Sequence, residues 1–212
     1  MQWTLVIPLK PLTRAKSRLS DTAAEGVRPG LALAFAQDTV AAAVACAAVA
    51  DVAVVTDDER AARELAALGA RIVPDTPAGG LNAALAHGAG VVREMRPRTP
   101  IAALNADLPA LRPMELAVVL AAAGEFPRAF LADAAGPGTT LLAAGPNGEL
   151  RPEFGPDSRS RHRISGAREL ELPGVDSVRQ DVDTGDDLRA ALALGVGPYT
   201  AAVSAGLLIP GS

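Results

Sequence analysis

Four cations, Lys10, Arg14, Lys16 and Arg18, fall within nine residues directly after the aliphatic run Thr4 to Leu9. Cations placed where a buried strand ends can offset the charge of a nucleoside triphosphate while its α-phosphorus is attacked. Pro8 and Pro11 stiffen the same stretch. A solvated basic loop would look alike, because charged loops are common. Farther along, Ala103-Leu104-Asn105-Ala106-Asp107-Leu108-Pro109 carries an apolar run straight into an aspartate. Such a carboxylate suits Mg²⁺, a hard cation held by one or two carboxylates together with phosphate oxygens and water. Asp107 could equally cap a turn before a helix beginning at residue 113.

One carboxylate does not neutralise a metal–triphosphate complex, and Asp181-Val182-Asp183-Thr184-Gly185-Asp186-Asp187 supplies others. Asp181 and Asp183 face the same side of an extended chain. Asp186 and Asp187 fall in the first turn of a helix, where negative charge suits the dipole. On the plainer reading all four acids decorate that helix start. A last group comprises Gly136-Pro137-Gly138-Thr139-Thr140 and Phe154-Gly155-Pro156-Asp157-Ser158, followed by Arg159, Arg161 and Arg163. Glycines let backbone approach a ligand closely, hydroxyls bond phosphate or carboxylate oxygens, and a helix opening near Ser158 favours an anion. The plain alternatives are β-favouring threonines and an N-capping serine. His162, amid arginines, reads as a surface residue. His87, on a helix, and the lone Cys46 offer no zinc set. A Ser–His–acid triad has no support.

The elements that must position these groups alternate along the chain. Strands are expected at 4–9, 52–55, 71–73, 100–104, 129–132 and 139–144, with 177–182 extended. Helices are expected at 30–49, with Leu31, Phe35 and Val40 on its buried side, after an opening at Thr56-Asp57-Asp58 with N-cap chemistry, at 82–95, 113–123 and 158–168, and finally at 186–194. The alternation predicts an α/β fold, a single domain over 1–212 whose mostly parallel sheet has helices on both faces. Ligands of such sheets bind beyond the carboxyl ends of the strands. Hydrophobic residues at 49% and charged residues at 21% exclude a disordered chain. A net charge of −4 argues against a nucleic-acid binder. No apolar run is long enough for a membrane span, and no signal peptide is recognisable at the N-terminus. With one cysteine no internal disulfide can form, so the cytoplasm is the expected compartment. The richness in Ala, Gly, Pro and Arg points to a GC-rich bacterial genome.

Taken together, these segments resemble the CofC/FbiD family of guanylyltransferases of coenzyme F-420 biosynthesis. The resemblance runs through Lys10, Pro11, Ala15, Lys16, Ser17, Arg18 and Leu19, then Val55-Thr56-Asp57-Asp58 and Gly80-Leu81-Asn82-Ala83-Ala84-Leu85. It continues in Asn105 to Pro109, Gly138-Thr139-Thr140, Phe154 to Ser158 and Asp181 to Thr184. It implies a Rossmann-like nucleotidyltransferase fold. It also implies a reaction in which GTP and a small phosphorylated acid, phosphoenolpyruvate or 2-phospho-L-lactate, give a diphosphate-linked guanosine and pyrophosphate. By the same resemblance Asp107 and Asp183, with Asp181 as the alternative, would hold Mg²⁺ or Mn²⁺. Lys16 and Arg18 would bind the triphosphate, within a Lys10–Arg18 run that replaces the glycine-rich loop of the wider fold. Gly80, Leu81 and Asn82 would lie near the guanine, and Thr140, Gly155 and Ser158 would bind the acceptor. Phosphoenolpyruvate is the first expectation, because the composition looks actinobacterial. Alternative readings are a nucleotidyltransferase for 3-phosphoglycerate, a sugar phosphate or the molybdenum cofactor, and a non-catalytic GTP-binding regulatory domain. Channelling of the product to the next enzyme of the pathway is an expectation that these residues do not carry.

Overall fold

Alternating burial along the strands sets the layer plan. In β1 (Trp3–Pro8) Leu5 and Ile7 enter one apolar layer and Val6 the other. In β2 (Val49–Val55) Val52 and Val54 join the first layer, Ala53 and Val55 the second. This is the period of two that a strand buried on both faces must show. The computed structural model describes residues 1–14, 26–76 and 78–205. Lys16 and Arg18, expected to contact a triphosphate, lie outside the described residues.

The first layer is closed by α1 (Arg28–Val44), α2 (Glu59–Ala67) and α4 (Pro113–Ala123), through Leu33, Val40, Leu65, Leu116 and Val119. The second layer is closed by α3 (Leu81–Met95), through Ala84, Leu85, Ala89 and Val92. Gly88 lets α3 come close: a Cβ there would stand 2.6 Å from Val55 and 2.7 Å from Val6. Pro29 and Pro113 open α1 and α4, and Asp58 caps α2 by accepting from the N–H groups of Arg60 and Ala61.

Strands β3 (Arg71–Val73), β4 (Ile101–Leu104), β5 (Arg128–Ala132), β6 (Thr139–Ala144) and β7 (Arg168–Glu169) complete a seven-stranded sheet in the order β3-β2-β1-β4-β6-β5-β7. Only β6 runs antiparallel to its neighbours. The chain builds outward from β1 to β3, then returns to place β4 on the other side of β1. The crevice between the loops after β1 and β4 is therefore the topological switch point, where ligands of open α/β sheets bind. This is the mostly parallel architecture with helices on both faces that the alternation predicts.

Three expectations need correction toward the C-terminal end. Residues 177–182 are not extended throughout: Asp176–Arg179 form a short helix, α6. Val175 and Val178, three apart, bury one helical face, and Glu115 accepts from the Ser177 N–H at 2.9 Å. The helix after it, α7 (Gly185–Leu194), is not the last, because α8 (Pro198–Ala205) follows and packs on α1. There the buried Asp38 carboxylate accepts from the N–H groups of Tyr199 and Thr200 at 3.1 and 2.7 Å. Gly197 leaves room for it, since a Cβ would lie 2.2 Å from Asp38 Oδ1. The basic helix α5 (Ser158–Ile164) ends before residue 168, where β7 begins. Among the described residues no helix is long and apolar enough to cross a membrane.

Candidate active site

Six connections leave from the carboxyl edge of the sheet: those after β1, β2, β3, β4 and β7, and the β5–β6 hairpin. Asp107 lies just beyond β4. Its backbone C=O accepts from the Val182 N–H at 3.0 Å, so the segment carrying Asp181 and Asp183 runs directly alongside the Asp107 loop. Asn105 tightens the junction: its N–H donates to the Thr140 C=O at 3.0 Å and its Nδ2 to Asp181 Oδ2 at 3.3 Å. Val182 is buried against Leu31, Phe35 and Leu188, which anchors the two flanking aspartates. Asp183 is exposed and opens the turn into α7, whose Thr184–Asp187 capping box fixes its direction. Asp186 pairs with Arg189.

Thr39, which sequence reasoning missed, supports the Asp107 loop from below. Its buried Oγ1 accepts from the Leu108 N–H at 3.0 Å and shares its proton between the carbonyls of Phe35 and Ala106, at 2.8 and 3.2 Å. It thus holds the residues on both sides of Asp107. Thr39→Val keeps the shape but leaves the Leu108 N–H without an acceptor. Urea unfolding of that variant should show a loss of about 1–3 kcal/mol, with turnover lowered as well.

At the end of β1, Lys10 is exposed just past the strand. The turn that follows is anchored by Asp58, whose Oδ2 accepts from the Leu12 N–H at 2.9 Å. Burial alone would raise the Asp58 pKa, but the N–H groups of Ala61, Leu12 and Arg60 outweigh it and hold the carboxyl below its ordinary value. Gly80 stands before α3 with φ 90°, a backbone that favours glycine. Leu81 and Asn82 begin the helix, but the Asn82 amide is engaged within the protein. Its Oδ1 accepts from the Phe154 N–H at 2.8 Å and its Nδ2 donates to the Phe154 C=O at 3.1 Å.

Across the sheet edge, the register pairs Ala132 with Thr139 but Leu131 with Leu141, so Thr140 is the extra residue of a β-bulge. Bulges re-aim side chains beside active sites. Thr140 Oγ1 is buried with no hydrogen-bond partner among the described residues. Gly155 (φ 116°) and Asp157 (φ 54°) are both left-handed, and the tight turn they make delivers the buried Ser158 to the start of α5. The Arg159 N–H donates to the Pro137 C=O at 3.1 Å, which fastens α5 to the β5–β6 hairpin.

The three arginines of α5 are not equivalent. Arg159 and Arg163 both pair with Glu169. Burial works to raise the Glu169 pKa, but those two guanidinium groups hold it below its ordinary value. Arg161 differs: its Nε and Nη2 are buried without a partner among the described residues, and Nη2 lies 3.2 Å from where a Gly155 side chain would begin. His162 corrects a further expectation, because it is fully buried and not at the surface. Among the described residues no group of three or more His, Cys, Asp or Glu is arranged as a metal cluster.

Known proteins resemble this chain in sequence and in fold. A phosphoenolpyruvate guanylyltransferase of Streptomyces coelicolor is 77% identical over 211 residues, covering 100% of both chains. A candidate nucleotide-diphospho-sugar transferase of Desulfovibrio desulfuricans superposes with a TM-score of 0.70 at 14% identity, covering 97% of this chain and 95% of that one. A Mycobacterium tuberculosis protein, Rv0371C, crystallised as a complex with manganese, gives a TM-score of 0.55 at 22% identity, covering 91% and 99%. At such identities the two structures establish the nucleotidyltransferase-like fold alone. The family model described as guanylyl transferase CofC-like matches residues 3–203, and the chain belongs to that family.

Proposed function

We propose that the protein transfers GMP from GTP to phosphoenolpyruvate, releasing pyrophosphate. The observation that carries this reading is the side-by-side course of the Asp107 loop and the Asp181–Asp183 segment at the switch point, held by the Val182 N–H on the Asp107 C=O at 3.0 Å. Their carboxylates are the hard oxygen donors that Mg²⁺ or Mn²⁺ requires, so the donor set fits a divalent ion on Asp107 and Asp183, with Asp181 as the alternative. When bound, that ion would supply charge stabilisation at the triphosphate. Lys10, Lys16 and Arg18 would face the same phosphates. Gly80 and Leu81 would border the base, while Asn82 would hold the neighbouring loop.

The chemistry asks little else of the chain. An oxygen of the acceptor's phosphate attacks the α-phosphorus in line, the bond from that phosphorus to the bridging oxygen breaks, and pyrophosphate leaves. A phosphate monoester has a second pKa of about 6, so it is already largely a dianion and no protein base is needed. Thr140, Gly155 and Ser158 would hold the acceptor. Its carboxylate also calls for a cation, and the Nε–Nη2 edge of Arg161 is the edge that takes a carboxylate with two parallel N–H···O bonds. Arg161→Gln should therefore raise the KM for the acid about tenfold or more, for loss of one charged bidentate contact, with the KM for GTP little changed. Steady-state kinetics with each substrate varied in turn decide this, and a rise confined to GTP would mean the two pockets are exchanged. The reducing cytoplasm is the compartment we infer, where buried Cys46 would stay a thiol.

Pyrophosphate release with GTP and, in turn, phosphoenolpyruvate, 2-phospho-L-lactate, 3-phosphoglycerate and a sugar phosphate tests the whole reading. Turnover should be fastest with phosphoenolpyruvate. Turnover with the sugar phosphate alone would replace the acceptor class, and none with any acceptor would favour a binding domain.

A further inference from the structure

The ring of His162 is buried between Phe130 and Phe154, with centroids 5.7 and 5.1 Å away. Both of its nitrogens are bonded. The Glu153 N–H donates to Nε2 at 3.0 Å, so Nε2 carries no proton in the neutral ring. The ring hydrogen is then on Nδ1, which donates to Thr139 Oγ1 at 3.0 Å. Each of these partners lies within two residues of one read above as an acceptor contact. Thr139 precedes Thr140 in the bulge, Glu153 precedes Gly155 by two residues, and Ser158 lies one helical turn before His162. The ring also backs Phe154, whose N–H and C=O are both held by Asn82 at the start of α3.

We propose that His162 is the positioning residue of the acceptor pocket: it fixes Thr140 on β6 relative to Gly155 and Ser158. The proposal rests on the reading of those three residues as acceptor contacts. Gly155 and Ser158 are tied to each other by the Ser158 N–H on the Gly155 C=O at 3.1 Å, and α5 meets the β5–β6 hairpin through the Arg159 N–H, but Thr140 on β6 must still be set against the loop at 153–157. One rigid ring with two hydrogen bonds and two aromatic contacts does so before the ligand arrives, which lowers the ordering cost of binding. A neutral imidazole suits this task, because Nε2 must remain an acceptor. His162 acts through its neighbours and carries no proton in the reaction.

The test compares His162→Phe, His162→Gln and Thr139→Val with the parent in pyrophosphate release, varying phosphoenolpyruvate and GTP separately. His162→Phe keeps the aromatic packing and deletes both hydrogen bonds. It should raise the KM for phosphoenolpyruvate about tenfold, the combined net worth of the two hydrogen bonds, and leave that for GTP within about twofold. His162→Gln should recover part of the loss, because its amide oxygen can accept from the Glu153 N–H. Thr139→Val, which removes only the Nδ1 partner, should raise the same KM by a smaller factor. A role in folding alone would move neither KM selectively. An unchanged acceptor KM in His162→Phe, or parallel rises for both substrates, overturns the proposal while the parent's turnover still supports the acceptor reading. If the parent turns over no acid, the acceptor reading falls and the proposal with it. Should His162→Phe fail to fold, an unchanged acceptor KM in Thr139→Val overturns the proposal.

Discussion

Asp107→Asn should fold like the parent and release pyrophosphate at least about a hundredfold more slowly, the usual cost of removing one group that stabilises charge in the transition state. The fold should persist because this loop is tied through backbone. The Asp107 C=O receives the Val182 N–H, and Thr39 holds the carbonyl of Ala106 and the N–H of Leu108. Asparagine fills the same space and keeps all of these bonds. It loses one negative charge at the position where a divalent ion would be bound. Binding of Mn²⁺, followed by electron paramagnetic resonance without any substrate, should weaken in parallel. Asp183→Asn should be about as damaging. Asp181→Asn should be milder, because Asp181 Oδ2 accepts from Asn105 Nδ2 and an amide can adjust to that partner. The reverse order would make Asp181 the second ligand. Near-normal turnover by Asp107→Asn, with an unchanged thermal melt, would remove the metal role from the Asp107 loop altogether.

Legibility in the sequence followed the range of the interactions. Strands β3 and β6 and helix α4 fall at the residues expected, because a run of aliphatic residues or a proline at the first helical turn states the conformation locally. Leu31, Phe35 and Val40, expected on the buried side of α1, are all fully buried. The Asp58 cap was legible, but its second bond, to the Leu12 N–H, was not, because 46 residues separate the pair. Helix α6 was missed because four residues are too few to display a helical period. The burial of His162 was hidden by its neighbours. Arg161 and Arg163 advertise a surface, yet the ring's partners come from Thr139, Glu153 and two phenylalanines that only the fold assembles. Thr39 looked like one more polar residue in an alanine-rich helix. The aspartates were legible as chemistry, and their adjacency required the pairing of Val182 with Asp107.

The buried imidazole also predicts how the protein responds to acid. Burial, together with the positive charges of Arg128 on β5 and Arg161 on α5, pushes the His162 pKa from 6.5 down to about 4. In the unfolded chain the ring titrates near its ordinary value, so between those limits the unfolded state binds more protons. Stability must then rise with pH across this window. The contribution is complete above about pH 6.5 and is lost as pH falls toward about 4. It amounts to about 3 kcal/mol, because each pH unit between the two values contributes about 1.4 kcal/mol. From pH 7.5 to 4.5 the parent should lose about 2.5 kcal/mol on this account in urea unfolding. His162→Phe has no such proton to take up, so its stability should fall by that much less over the same interval. The subtraction matters, because Asp38, whose pKa is raised by burial between α1 and α8, acts in the opposite sense. Protonation would also place a hydrogen on Nε2, where the Glu153 N–H already points. In the folded protein that proton is taken up only near about pH 4, so a rise in the acceptor KM caused by it should appear there, at the lower end of the window over which stability is lost. Equal pH dependence of stability in the parent and in His162→Phe would show that the ring is not held neutral by its surroundings.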